Sequence, residues 1–184
     1  MTAKLLARPA MVFFRTDSNS GATDKLWPKS THIPETMKDL EIQTYPGSNA
    51  TPAEFVALAD EYYSCAEVLM QRGKPRVAIS RAPARLCAIH AIELYLNAFL
   101  LNSGELPEQV RAHLHNLANR TEIALSHGLV LRKLTKAHLI KMTEDREYLI
   151  SRYGPEMSTT LSEITRLMAT LNEVAKKVKS QIEL

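Results

Sequence analysis

Cysteine is scarce: Cys65 and Cys87 are the only two in 184 residues. That excludes a disulfide-stapled scaffold and a paired-cysteine zinc site, so both read as reduced core side chains of a cytoplasmic protein. No apolar run approaches the roughly 18 residues of a membrane span, and no repeat period is visible. Met11-Val12-Phe13-Phe14 is too short and too far along for the apolar core of a secretory signal. The basic, acid-poor opening through Arg15 has the composition of a transit peptide, although a plain arm accounts for it more simply. Charge bias is slight, at net +3, and by itself argues neither for nucleic acid nor for an anionic membrane. The Walker and dinucleotide glycine patterns, a Gly-x-Ser-x-Gly elbow and a His-Glu-x-x-His pair are all missing, so no cofactor and no metal are implied.

What is present is 45% hydrophobic content, enough for one domain that buries roughly 70% of its unfolded surface without staples. Residues 1–50, rich in Pro, Ser, Thr and Asn, carry no helical period and read as an extended arm. Phe13, Phe14 and Trp27 either anchor that arm or belong to a loose tail. Residues 51–184 form the bundle domain. Thr51-Pro52-Ala53-Glu54 combines a capping hydroxyl, a proline at the first helical position and a glutamate able to reach back. It predicts a helix to about Gln71 that buries Phe55, Ala57, Leu58, Tyr62, Cys65 and Leu69 and stops at Gly73. A second helix, from about Arg76 to Asn102, is apolar on most faces and therefore central, with Pro83 marking either its start near Ala82 or a kink. Gly104 ends it, Pro107 opens a short turn or helix, and a third helix runs through Leu114, Leu117, Ile123 and Leu125 to His127-Gly128. A fourth, capped by Thr135, carries Leu139, Met142, Tyr148 and Ile150 to Gly154-Pro155. After Ser158, apolar residues recur as Leu161, Ile164, Met168, Leu171, Ala175, Val178 and Ile182, a heptad-like stripe that Leu167 and Val174 broaden toward bundle packing. The expected architecture is all-α, an up-and-down helical bundle of four to five helices. Lys176, Lys177 and Lys179 read as a solvated face suited to a helix C-terminus.

The most basic stretch is Arg72, Lys74, Arg76, Arg81 and Arg85, with no acid among residues 72–85. A glycine-containing turn at a helix start favours phosphate; the alternative is a solubilising loop whose arginines pair with acids elsewhere. His and Arg suit general-base and phosphorane-stabilising work, and three Arg/His pairs lie close together in sequence: Arg85/His90, Arg120/His127 and Arg132/His138. Chance supplies most such matches. On a regular helix Arg85 and His90 point about 140° apart and Arg120 and His127 stand about 10.5 Å apart, so neither pair converges unaided.

The run Ala88-Ile89-His90-Ala91-Ile92-Glu93-Leu94-Tyr95-Leu96-Asn97-Ala98-Phe99-Leu100-Leu101 resembles the central helix of HEPN domains. His115-Asn116-Leu117 is similar to the His-Asp-Leu that opens the family's next helix. Arg146-Glu147-Tyr148 followed by Arg152-Tyr153-Gly154 resembles its arginine-tyrosine-proline ending. The likeness covers residues 52 to about 182 in the family's order. It implies an up-and-down bundle, usually dimeric, in a family of RNases, toxins, nucleotidyltransferase partners and catalytically silent members. The family's Arg-x4-6-His motif sits later in the bundle with a polar residue after the arginine. Here Arg85 is followed by Leu86, and no histidine follows Arg146 or Arg152 in range.

Three readings follow. The leading one is a non-catalytic, homodimeric HEPN-like module that binds RNA, a nucleotide or a protein partner through Arg72, Arg76, Arg81, Arg85, Arg146 and Arg152. The second is a metal-independent RNase using one of the three Arg/His pairs. The third is a structural oligomerisation protein. No membrane partner is implied.

Overall fold

A computed structural model describes residues 45–182 of the chain, so of the expected arm only Tyr45 to Ala50 is described; Phe13, Phe14 and Trp27 lie outside the described residues. Among the described residues the protein is all-α, with no strand. Helix α1 spans Pro52–Arg72 and begins with the full capping box: Glu54 N–H donates to Thr51 Oγ1 at 3.2 Å, and Thr51 N–H donates to Glu54 Oε2 at 2.8 Å. A 3₁₀ turn, Ala78–Arg81, leads into α2, Ala82–Asn102, so Pro83 falls in the first turn of α2, where its missing N–H costs nothing.

Pro107 opens a short helix, α3, Pro107–Ala112, as expected; the third expected helix starts later than Leu114, because α4 covers Leu117–Ser126 and Leu114 adopts φ +49° and lies exposed in the break before it. The expected fourth helix is two, α5 at Lys133–Glu144 and α6 at Glu147–Tyr153, divided at Arg146 with φ +53°. Thr135 is not the cap of α5. Its hydroxyl is buried and donates to Glu173 Oε2 at 2.7 Å, while Glu173 Oε1 accepts the Arg132 N–H at 2.7 Å, so a carboxylate from the last helix caps α5 from outside. A second 3₁₀ segment, Pro155–Thr160, precedes α7, Ile164–Lys179, which leaves Leu161 outside the helix that the stripe had included.

Helices α1 and α2 are antiparallel, since Tyr62 meets His90 edge-on at 4.5 Å, Asp60 accepts from the Tyr95 hydroxyl, and Met70 lies against Arg81. Helix α3 returns along α2, α4 descends beside it, α5 rises, and α7 descends along α2 from Arg85–Ser162 to Asn102–Gln181. Ile89, Ile92, Tyr95, Leu96, Phe99 and Leu100 of α2 form the centre, and Leu167, Leu171, Val174 and Val178 pack there from α7.

On α1 the buried stripe is Val56, Ala59 and Ala66. Ala57, Leu58 and Cys65 are exposed, and Phe55, Tyr62 and Leu69 are half-buried. The small residues face the alanines of α2, allowing close helix approach, so the large residues fall to the flanks. Cys65 is therefore a surface thiol and Cys87 a half-buried one. By length and composition Ala78–Asn102 could cross a bilayer, which the uninterrupted-run criterion missed; here it is mostly buried as the core helix of the bundle, with Arg85 and Glu93 paired internally.

Candidate functional site: a cationic pocket at the head of the central helix

The turn after α1 is tied down by Ser80, whose Oγ accepts the Lys74 N–H at 2.8 Å and whose hydroxyl donates to the Val77 carbonyl at 2.6 Å. Held this way, Arg76 takes φ +61°, a left-handed conformation costing a non-glycine residue roughly 1–2 kcal/mol. The turn and the head of α2 bring Arg76, Arg81 and Arg85 to one concave surface of about 430 Å³, opposite Ser158, Thr159, Ser162 and Thr165 of the segment entering α7. Arg76 and Arg81 have no carboxylate within ion-pair distance among the described residues; Arg81 packs against Gly73 and donates to the Met70 sulfur at 3.7 Å. Glu163 lies exposed on the same rim.

Arg85 is different. It is buried, and its Nη1 donates to Glu147 Oε2 at 2.7 Å and to Ser162 Oγ at 3.2 Å, while Nη2 donates to the Ser162 carbonyl. Glu147 is fully buried, and its Oε1 accepts the Ser162 N–H at 2.9 Å. Behind the serine, His138 places Nε2 3.0 Å from Ser162 Oγ and Nδ1 2.7 Å from Thr170 Oγ1. Arg85 can only donate, so Ser162 Oγ accepts from it, and neutral His138 bridges Ser162 and Thr170 with one ring nitrogen donating and the other accepting. Burial, with Arg166 and Arg85 nearby, pulls His138 down to about 4, so it is neutral at pH 7. Burial also pushes the Arg85 guanidinium down, opposed by Glu147, and an arginine so paired keeps its charge.

The other expected binding arginines lie elsewhere. Arg72 is exposed in the last turn of α1 and does not line this surface. Arg146 borders a separate apolar cavity with Ile89, Met142 and Leu149. Arg152 sits 4.1 Å over the Tyr148 ring. None of the three sequence-spaced Arg/His pairs shares a partner. His90 stacks edge-on against Tyr62 with its Nδ1 unpartnered, whereas Arg85 serves Glu147. Arg120 is buried against Glu93 at 3.2 Å and Asn97 at 2.7 Å, while His127 holds Glu105 at the surface at 2.9 Å. Arg132 reaches Glu173 at 3.3 Å, while His138 serves Ser162 and Thr170. Members of two different pairs, Arg85 and His138, meet instead at Ser162, a convergence no spacing rule could find because it joins four segments.

A second polar cluster also escaped the sequence. Glu93 accepts from both Arg120 and His115, and His115 stacks on Tyr148 at 3.9 Å. The available signal was a glutamate and an asparagine four residues apart inside an otherwise apolar helix. Among the described residues no three His, Cys, Asp or Glu side chains are grouped to share a metal ion. Compared with known proteins, the chain matches no protein family, no curated protein and no solved structure.

Proposed function

We propose that the chain is a non-catalytic, HEPN-like helical module that binds single-stranded RNA by its phosphates at the pocket of Arg76, Arg81 and Arg85. The supporting observation is the division of labour among these arginines. Arg85 is spent on Glu147, whereas Arg76 and Arg81 border a concavity with their charges unpaired among the described residues. Hydroxyls opposite them, on Ser158, Thr159 and Thr165, suit phosphate oxygens as further donors. The resemblance of residues 88–101, 115–117 and 146–154 to HEPN helices carries the family assignment and the homodimer. The α7 stripe gives the dimer no support, because Leu167, Leu171, Val174 and Val178 are buried within one copy.

The RNase reading has one feature in its favour, the meeting of Arg85 and His138 at Ser162. It loses on magnitude: a base held near 4 is about three orders of magnitude weaker than one poised at neutral pH. The test is fluorescence anisotropy with labelled single-stranded RNA between roughly 50 and 200 mM salt. Arg76→Ala and Arg81→Ala should each weaken binding and reduce the log–log salt slope by about 0.7, the value of one lost single-strand phosphate contact. Unchanged binding by both variants, or RNA cut by the purified protein, refutes the proposal. Sedimentation as a monomer at micromolar concentration removes its dimer.

A further inference from the structure

We propose that the groove between α5 and α7 is a docking surface for an acidic amphipathic segment of a partner protein. The cavity, about 510 Å³, is lined by Arg132, Leu134, Arg166, Ala169, Lys176 and Lys177, among others. Its one acid, Glu173, is buried and already accepts from the Arg132 backbone, the Arg132 guanidinium and the Thr135 hydroxyl, so it offsets one cation at most. Arg166, Lys176 and Lys177 have no acid within ion-pair distance among the described residues.

From Arg166 to Lys177 the cations are spread along α7 over about 16 Å, the rise of eleven helical residues. The same groove is lined by apolar surface from both helices: Leu134 of α5 is 75% exposed and Ala169 of α7 is open. A lone exposed leucine is ordinary on a protein surface; this one lies in a concavity whose lining also includes Arg132, Arg166, Lys176 and Lys177. Its complement is a helix that presents a bulky apolar side chain to Leu134 and two or three carboxylates to the rim, the arrangement by which interfaces join an apolar centre to a charged edge. Nucleic acid fits less well. Phosphates on the cations would leave Leu134 uncovered. This surface is independent of the phosphate pocket.

The test uses the full chain and a fluorescent helical peptide of about four turns, with leucines on one face and glutamates flanking them. Arg166→Glu combined with Lys177→Glu should weaken peptide binding at least about tenfold, as should Leu134→Ser, whereas Arg76→Ala with Arg81→Ala should leave it unchanged. Leu134, Arg166 and Lys177 are exposed, so circular dichroism of their variants should stay unchanged. A peptide with lysines for glutamates should regain binding on the charge-reversed variant. The inference is overturned if Leu134→Ser binds as the wild type does, because the attraction is then charge alone. It is equally overturned if single-stranded RNA or anionic vesicles, and not the peptide, lose binding on charge reversal.

Discussion

His138 lies among Ser162, Thr170 and the Arg85–Glu147 pair with only 1% of its surface accessible, so the neutral imidazole is the form that fits there. Its folded value of about 4 lies below the ordinary histidine value near 6.5, so the unfolded chain binds the proton more readily. The stability that neutral His138 contributes is complete above about pH 6.5 and is lost as pH falls toward 4. The loss amounts to about 2 kcal/mol after allowance for solvent relaxation. Thermal unfolding across that range should show Tm falling, with a shallower fall in His138→Gln, whose amide can serve both hydroxyls. His90 and His113, both pushed down chiefly by burial, leave a residual slope in the variant. Parallel slopes in the two proteins would contradict the assignment.

Between elements, three non-glycine residues among those described stand in the left-handed region: Arg76 after α1, Leu114 between α3 and α4, and Arg146 between α5 and α6. Leu114 and Arg146 mark places where a chain periodic enough to continue as helix is turned. At Arg76 the turn is fixed by Ser80 on one side and Gly73 on the other, so the side chain is presented to the pocket at the expense of backbone strain. Arg76→Gly should therefore raise stability by about 0.5–1 kcal/mol in urea unfolding while weakening RNA binding as Arg76→Ala does. A glycine variant that is less stable, or that binds RNA normally, would separate the strain from the function assigned to it.

Over the whole molecule, the Arg85–Glu147–Ser162–His138–Thr170 network joins α2, α6, the segment before α7, α5 and α7. An apolar bundle leaves helix order and rotation to shape alone. A buried ion pair adds a directional constraint, because any other arrangement strands a charge. Arg85→Ala leaves Glu147 buried with only the Ser162 N–H, and urea denaturation should show a loss of about 3–5 kcal/mol. A loss below about 1 kcal/mol would mean that water replaces the guanidinium and that the network does not hold the helices in place.

Read residue by residue, the chain already fixed its all-α class, the start of α1 at the Thr51 box, the central place of α2 and the burial of the α7 stripe. Each of these rests on local hydrogen bonding or on one helix's own periodicity, which neighbours in sequence carry. The breaks at Leu114 and Arg146 were illegible because the helical period continues across them. So was the buried face of α1, where the closeness of α2 favoured alanines over larger side chains. The meeting of Arg85 with His138, the Glu93 cluster and the α5–α7 groove also came only from packing. Which guanidinium ends against a carboxylate and which faces solvent depends on distances between segments dozens of residues apart, and no spacing within one helix encodes them.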